Sequence, residues 1–174
     1  HFVSELDSNM ENIGIFIPGG YDHKYEHKLV VLNTTGPDHY ALFERYRELD
    51  FAYRDQHIIF ASFTCKGVTT GGYIGEASFL ECFNKVISLF NIDLGAVYLH
   101  GTSNGAYSTW ALAEAYPHLF AAISPISGVP VKSMLVNLSN MYIYNIHENR
   151  YDGLDVYGTY NYPNYVFETN GFNF

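Results

Sequence analysis

The chain has 174 residues, 48% hydrophobic and 17% aromatic, which suits one domain with a real core and no excess of disorder-promoting residues. Nine basic residues against 18 acidic ones give a formal charge of −9. That argues against nucleic acid, whose affinity comes from a basic footprint, and against anionic membrane surfaces; no apolar run reaches the length of a membrane span.

The N-terminus, His1-Phe2-Val3-Ser4-Glu5, has neither the basic start and apolar core of a signal peptide nor a starting Met. The expectation is a processed product, an expressed piece or an internal piece of a longer protein. Low Lys content with abundant Tyr, Asn and Gly leans toward an extracytoplasmic protein, and Asn33-Thr34-Thr35 and Asn137-Leu138-Ser139 fit the N-glycosylation pattern.

In chain order, Ile13-Gly14-Ile15-Phe16-Ile17 reads as a short strand stopped by Pro18, followed by a Gly19-Gly20-Tyr21-Asp22 turn. Leu29-Val30-Val31-Leu32 is a continuous apolar run, the mark of a strand buried on both faces. A loop over 33–38 leads to helical spacing over Ala41–Tyr53, with Leu42, Phe43, Tyr46 and Leu49 on one stripe. His57–Phe63 reads as another buried strand. After a Gly/Thr-rich loop, Glu76–Phe90 reads as a helix with Phe79, Phe83, Val86, Ile87 and Phe90 on one face. A turn over Asn91–Gly95 precedes a strand over Gly95–Leu99. Asn104–Tyr116 is a helix ended by Pro117, and strands follow over Ala121–Ile126 and Met141–Ile146. From Tyr151 the chain is rich in Tyr, Asn and Gly without a clear period.

Short apolar strands alternating with helices predict an α/β fold: a mostly parallel sheet with helices on both faces, in a single domain over 1–174, with the tail from Tyr151 read as a lid-like loop or the ragged edge of a truncated domain. The two cysteines, Cys65 and Cys82, do not make a disulfide scaffold. His23, His27 and His39 have no zinc spacing and read as solvated loop histidines.

The chemistry concentrates at Gly101-Thr102-Ser103-Asn104-Gly105, between a strand and a helix. Gly-x-Ser-x-Gly in that setting is a nucleophile elbow. The serine takes a strained conformation on a very tight turn, and side chains at either glycine would clash with the neighbouring strand and helix. The turn lifts the Ser103 hydroxyl above the sheet's C-terminal edge and sets it at the positive end of a helix dipole, with the Asn104 N–H as an oxyanion donor. The alternative is a Gly-rich turn with a capping serine.

The stretches "IPGGYD", "KLVVLNTTG", "GGYIGEASFLECFNKVISLFNID" and "VYLHGTSNGAYSTWALAEAYPHLFAAISPISG" together resemble the α/β-hydrolases, in particular the esterase and prolyl-oligopeptidase-like branch. The resemblance runs from about Ile13 to Ile146 and is most specific over Ile92–Gly128. It implies Ser103 as nucleophile and Asn104 as oxyanion donor. The family usually carries His-Gly after the strand matching Leu29–Leu32; this chain has Asn33-Thr34, so Thr34 or Thr35 is expected to supply the second backbone donor. The family order is Ser, then Asp/Glu, then His. The acid is then expected in "HENRYDGLD", with Asp152 first and Glu148 and Asp155 behind it; the spacing from His147 to Asp152 is one residue longer than the family's His-Gly-x-x-Asp. His147 matches a structural histidine of the family more closely than a base.

No histidine follows His147, yet a base must take the serine proton. Three accounts stand: the chain is a piece of a longer hydrolase, an unusual histidine such as His147 or one from the early loops serves, or the domain has lost catalysis. The first is favoured, and this piece alone is then expected to have little or no activity. The resulting expectation is a serine hydrolase acting on a small-molecule ester through an acyl-enzyme on Ser103, with no cofactor and no metal. The aromatic residues Tyr73 and Tyr107 are candidates for binding an aryl or sugar-linked acyl group. The alternatives are a prolyl-oligopeptidase-like peptidase acting on a peptide substrate and a catalytically inactive binding domain.

Overall fold

The computed structural model describes residues 1–33, 57–67, 73–130 and 135–146. Their centre is a six-stranded sheet. Its strands are β3 (Ile13–Phe16), β4 (His27–Asn33), β5 (Ile58–Phe63), β6 (Ile92–Thr102), β7 (Ala122–Ile126) and β8 (Tyr142–Ile143), ordered β3-β5-β4-β6-β7-β8. β5, β4, β6, β7 and β8 run parallel, and β3 closes one edge antiparallel to β5. A small hairpin of β1 (Phe2–Val3) and β2 (Met10–Glu11) precedes them.

Two described α-helices, α1 (Tyr73–Leu89) and α2 (Asn104–Ala115), pack on one face of the sheet. Strand alternation explains the arrangement. Leu29 and Val31 of β4, Ile59, Ala61 and Phe63 of β5, and Val97 and Leu99 of β6 point to that face. They meet Phe79, Cys82, Phe83 and Val86 of α1 and the fully buried Trp110 of α2. Burying each large side chain is worth about 2 kcal/mol. Leu32 and Phe60 face the other way, where Val30, Ile58, Tyr98 and Tyr144 help line a groove of about 300 Å³. The helix expected over Ala41–Tyr53 lies outside the described residues.

The strand over Leu29–Leu32 extends to His27–Asn33, and the helix over Glu76–Phe90 begins at Tyr73 and ends at Leu89. β6 starts at Ile92, earlier than expected, because Ile92 pairs with His27 ahead of an irregularity between His27 and Leu29. The last strand is shorter than Met141–Ile146: only Tyr142–Ile143 is regular, with an isolated bridge from Ile126 to Ile146.

The N-terminal hairpin is held by polar contacts. Ser4 Oγ donates to Glu81 Oε2 on α1 at 2.7 Å. Glu11 is buried, and its carboxylate takes Lys66 Nζ at 3.0 Å and Ser78 Oγ at 3.1 Å. Lys66 also reaches Asp7 at 3.0 Å. Pairing of this kind is what a carboxylate needs to lie in a core.

Candidate active site

β6 ends at Thr102 and α2 begins at Asn104, leaving Ser103 as the single residue between them. Ser103 has φ 55 and ψ −120, a conformation that side chains rarely adopt. Its side chain makes no cap hydrogen bond to α2, so the capping-serine alternative does not describe this turn. Thr102, Ser103 and Asn104 are exposed, whereas the flanking Gly101 and Gly105 are buried.

Both glycines are required by close approach of backbone. A Cβ on Gly101 would drive into the Gly105 carbonyl and Thr109 Oγ1, and a Cβ on Gly105 would drive into the Asn33 carbonyl. The strand end, the helix start and the end of β4 meet with no room between them.

Hydrogen bonds fix the turn. The Ser103 N–H donates to the Ile126 carbonyl of β7 at 2.8 Å, and the Ser103 carbonyl accepts from the Ala106 N–H at 2.9 Å. Trp110 Nε1 donates to the Gly128 carbonyl at 3.2 Å, so the segment after β7 is tied to α2. Ser127, between these anchors, also has a positive φ of 59. The first turn of α2 presents N–H groups that lack intrahelical partners, and the helix dipole adds to their pull on a developing negative charge.

Of the residues expected at the site, Ser103 and Asn104 come together at the sheet's C-terminal edge. Thr34, Thr35, His147, Glu148, Asp152 and Asp155 lie outside the described residues, as does the side chain of Tyr73. Tyr107, the fourth residue of α2, is half-buried. Sequence reasoning placed Asn33 at the start of the oxyanion loop but gave its side chain no role, and it gave none to Ser127. Asn33 ends β4 level with Gly101, is 7% exposed, and its side-chain Nδ2 has no hydrogen-bond partner. Its signal in the sequence is a lone polar residue closing an apolar strand. Its burial does not fit a glycan acceptor in the folded protein.

His27, His57 and His118 sit away from the elbow. His27 opens β4 at the opposite edge of the sheet, where its Nδ1 bonds the Tyr25 carbonyl at 2.8 Å and its ring lies 5.8 Å from that of His57. From there to Asn33 the strand covers about 20 Å. His118 lies beyond the C-terminal end of α2, a helix about 18 Å long. His100 is in β6, and burial pushes its imidazole below the ordinary value, partly opposed by a hydrogen bond to the Ser124 backbone. Burial pushes the Cys65 thiol up to about 12, and the nearby Glu11 carboxylate adds to the shift, so Cys65 is not a thiolate nucleophile. Among the described residues, no group of three or more His, Cys, Asp or Glu is placed to hold a metal, and no helix is long and apolar enough to cross a membrane.

No family model matches the chain. In sequence it is 38% identical over 71 residues to feruloyl esterase B of Talaromyces funiculosus, a match covering 41% of this chain and 20% of that protein. It is 48% identical over 63 residues to acetylxylan esterase A of Emericella nidulans, covering 36% of this chain and 21% of that protein. The matched stretch is thus about a fifth of each curated relative's length. In structure it resembles a thermostable esterase with a TM-score of 0.69 at 16% identity, over 96% of this chain and 61% of that one. It also resembles a feruloyl esterase module from Clostridium thermocellum complexed with sinapinate, with a TM-score of 0.64 at 13% identity over 86% of this chain and 66% of that one. The parallel sheet, the strand-to-helix turn at Ser103 and these likenesses agree: the chain has the α/β-hydrolase fold and is similar to esterases of that superfamily.

Proposed function

We propose that this chain carries the nucleophile of a serine hydrolase that cleaves a carboxylic ester, with a feruloyl or acetyl ester as the substrate class. The observation that carries the reading is the backbone of Ser103, held at φ 55 and ψ −120 between two glycines that tolerate no side chain. Strain of this kind costs about 1–3 kcal/mol and persists where surrounding structure enforces it, as at catalytic turns. The similarity to feruloyl and acetylxylan esterases supports the ester class.

Ser103 Oγ attacks the ester carbonyl while an imidazole base takes its proton. The Asn104 N–H holds the oxyanion, the alcohol leaves, and water releases the acid from the acyl-enzyme. Thr34 is the proposed partner donor. Asp152 is the proposed acid that orients the base, with Glu148 or Asp155 as the alternative and His147 as the alternative base.

The test is intact mass spectrometry of the protein before and after a fluorophosphonate probe, alongside hydrolysis of methyl ferulate and p-nitrophenyl acetate. One adduct on Ser103, absent in Ser103→Ala, together with ester turnover is the expected result. Absence of both adduct and turnover in the full-length natural protein would transfer the reading to an inactive binding domain. Faster turnover of peptide amides than of esters would favour the peptidase.

A further inference from the structure

Asn33 is a polar residue in a place built for apolar ones. Leu29 and Val31 of the same strand belong to the core beneath α1 and α2, and alternation sets Asn33 on that same face, one step beyond Val31. Its side chain is buried and its Nδ2 is sequestered without a hydrogen-bond partner, whereas an apolar residue there would bury no donor. Leaving a buried amide donor unpaired costs about 1–3 kcal/mol. The site of this cost is specific. The Asn33 carbonyl abuts Gly105, two residues past Ser103, and Asn33 pairs in register with Gly101, two residues before it. The backbone of Asn33 therefore ends β4 against the first turn of α2, where the helix already favours negative charge.

We propose that the Asn33 side-chain amide is an oxyanion donor, paired in the transition state and unpaired in the resting protein. This rests on Ser103 being the nucleophile. As Ser103 Oγ bonds to the carbonyl carbon, the C=O π pair moves onto oxygen, and the serine proton passes to the imidazole base. The oxyanion then accepts hydrogen bonds from Asn33 Nδ2 and the Asn104 N–H. When the tetrahedral species collapses, the pair returns to carbon and the alkoxide leaves with the proton. Asn33 transfers no proton. An interaction made only in the transition state raises kcat without tightening substrate binding.

The experiment compares Asn33→Leu, a near-isostere without a donor, with the full-length natural protein. Both are made in a bacterial host so that the Asn33-Thr34-Thr35 sequence stays unmodified. The expected result is a kcat on methyl ferulate about a hundredfold lower with KM within about threefold, the usual effect of losing one oxyanion donor. Tm should be unchanged or higher, because the lost group is unpaired in the resting state. An arylboronate, which captures the serine as a tetrahedral anion without turnover, should bind at least about tenfold more weakly. A kcat and boronate affinity within about threefold of the parent would overturn the proposal, as would losses that only track a fall in Tm. Should Asn33→Leu fail to fold, Asn33→Ala is judged by the same criteria. Ser103→Ala separates the two readings. Hydrolysis surviving Ser103→Ala removes the Ser103 nucleophile itself. Hydrolysis lost in Ser103→Ala but kept in Asn33→Leu removes only the role of Asn33.

Discussion

Ser103 hangs from the neighbouring strand: its N–H donates to the Ile126 carbonyl of β7 at 2.8 Å, while its own carbonyl starts α2. A residue with φ 55 is therefore held from both sides. Glycine adopts that backbone at no steric cost. Ser103→Gly is expected to raise stability by about 1 kcal/mol, the strain relieved less the extra chain entropy of glycine, while abolishing the fluorophosphonate adduct. Urea unfolding paired with intact mass checks both halves.

The elbow glycines carry the opposite expectation. Gly105→Ala would force a methyl group into the Asn33 carbonyl, and Gly101→Ala into the Gly105 carbonyl. Backbone cannot yield there without moving β4, β6 or α2. Each variant is expected to lose more than about 3 kcal/mol or to accumulate as insoluble protein. Thermal unfolding of the soluble fraction measures it.

Trp110 has a polar as well as a packing role. It is fully buried and its Nε1 donates to the Gly128 carbonyl at 3.2 Å. Trp110→Phe leaves that acceptor without its donor and opens space, so stability should fall by about 2–3 kcal/mol. The segment after β7 also loosens against α2, which amide hydrogen exchange at residues 126–128 would register as faster exchange.

The two thiols should be silent in the native protein. Cys65 is held at about 12 by burial and by Glu11, and Cys82 is also pushed up, first by burial. At pH 8 both are protonated, and thiolate is the reactive form. Ellman's reagent is expected to react with neither thiol in buffer and with both in denaturant.

The acid limb of stability contains a contribution from Asp7. Hydrogen bonds from Asn9, and then from Lys66, lower its carboxyl from 3.8 to about 2. The folded value lies below the unfolded one, so its contribution is complete above about pH 4 and is lost as pH falls toward 2. Asp7→Asn should flatten the decline of stability across that window, leaving its shape above pH 5 unchanged. Denaturant midpoints taken between pH 2 and 6 test this.

The elbow was legible because its cause is local. Two glycines around a serine, an apolar run before and helical spacing after leave few other foldings, and the buried runs Leu29–Leu32 and Ile58–Ala61 declare central strands by composition alone. The β1–β2 hairpin was not legible. Its strands are two residues long, and what holds them is Lys66, Ser78 and Glu81, more than fifty residues away. The start of β6 was obscured for a different reason. Asp93-Leu94-Gly95 carries a turn signal, and the Gly95 N–H does bond Asp93 Oδ1 at 2.8 Å, yet Ile92 pairs with His27 across it. Asn33 stands out in the sequence only as a departure from the family's His-Gly, because one polar letter at a strand end carries no period that would show its burial. The proposed acid and base residues rest on resemblance alone.

The bond from Ser103 to Ile126 also sets an order of events during synthesis. β6 must find β4 across a long sequence separation, and contacts of that kind form slowly. Even then the turn lacks its outer anchor until β7 has docked beside β6 and the chain has passed Gly128. A nascent polypeptide with only residues through α2 outside the ribosome holds the whole Gly-x-Ser-x-Gly sequence but lacks the Ile126 and Gly128 carbonyls that anchor the turn. The proposed nucleophile gains its outer anchor only from β7, a strand whose contribution to it is a backbone carbonyl.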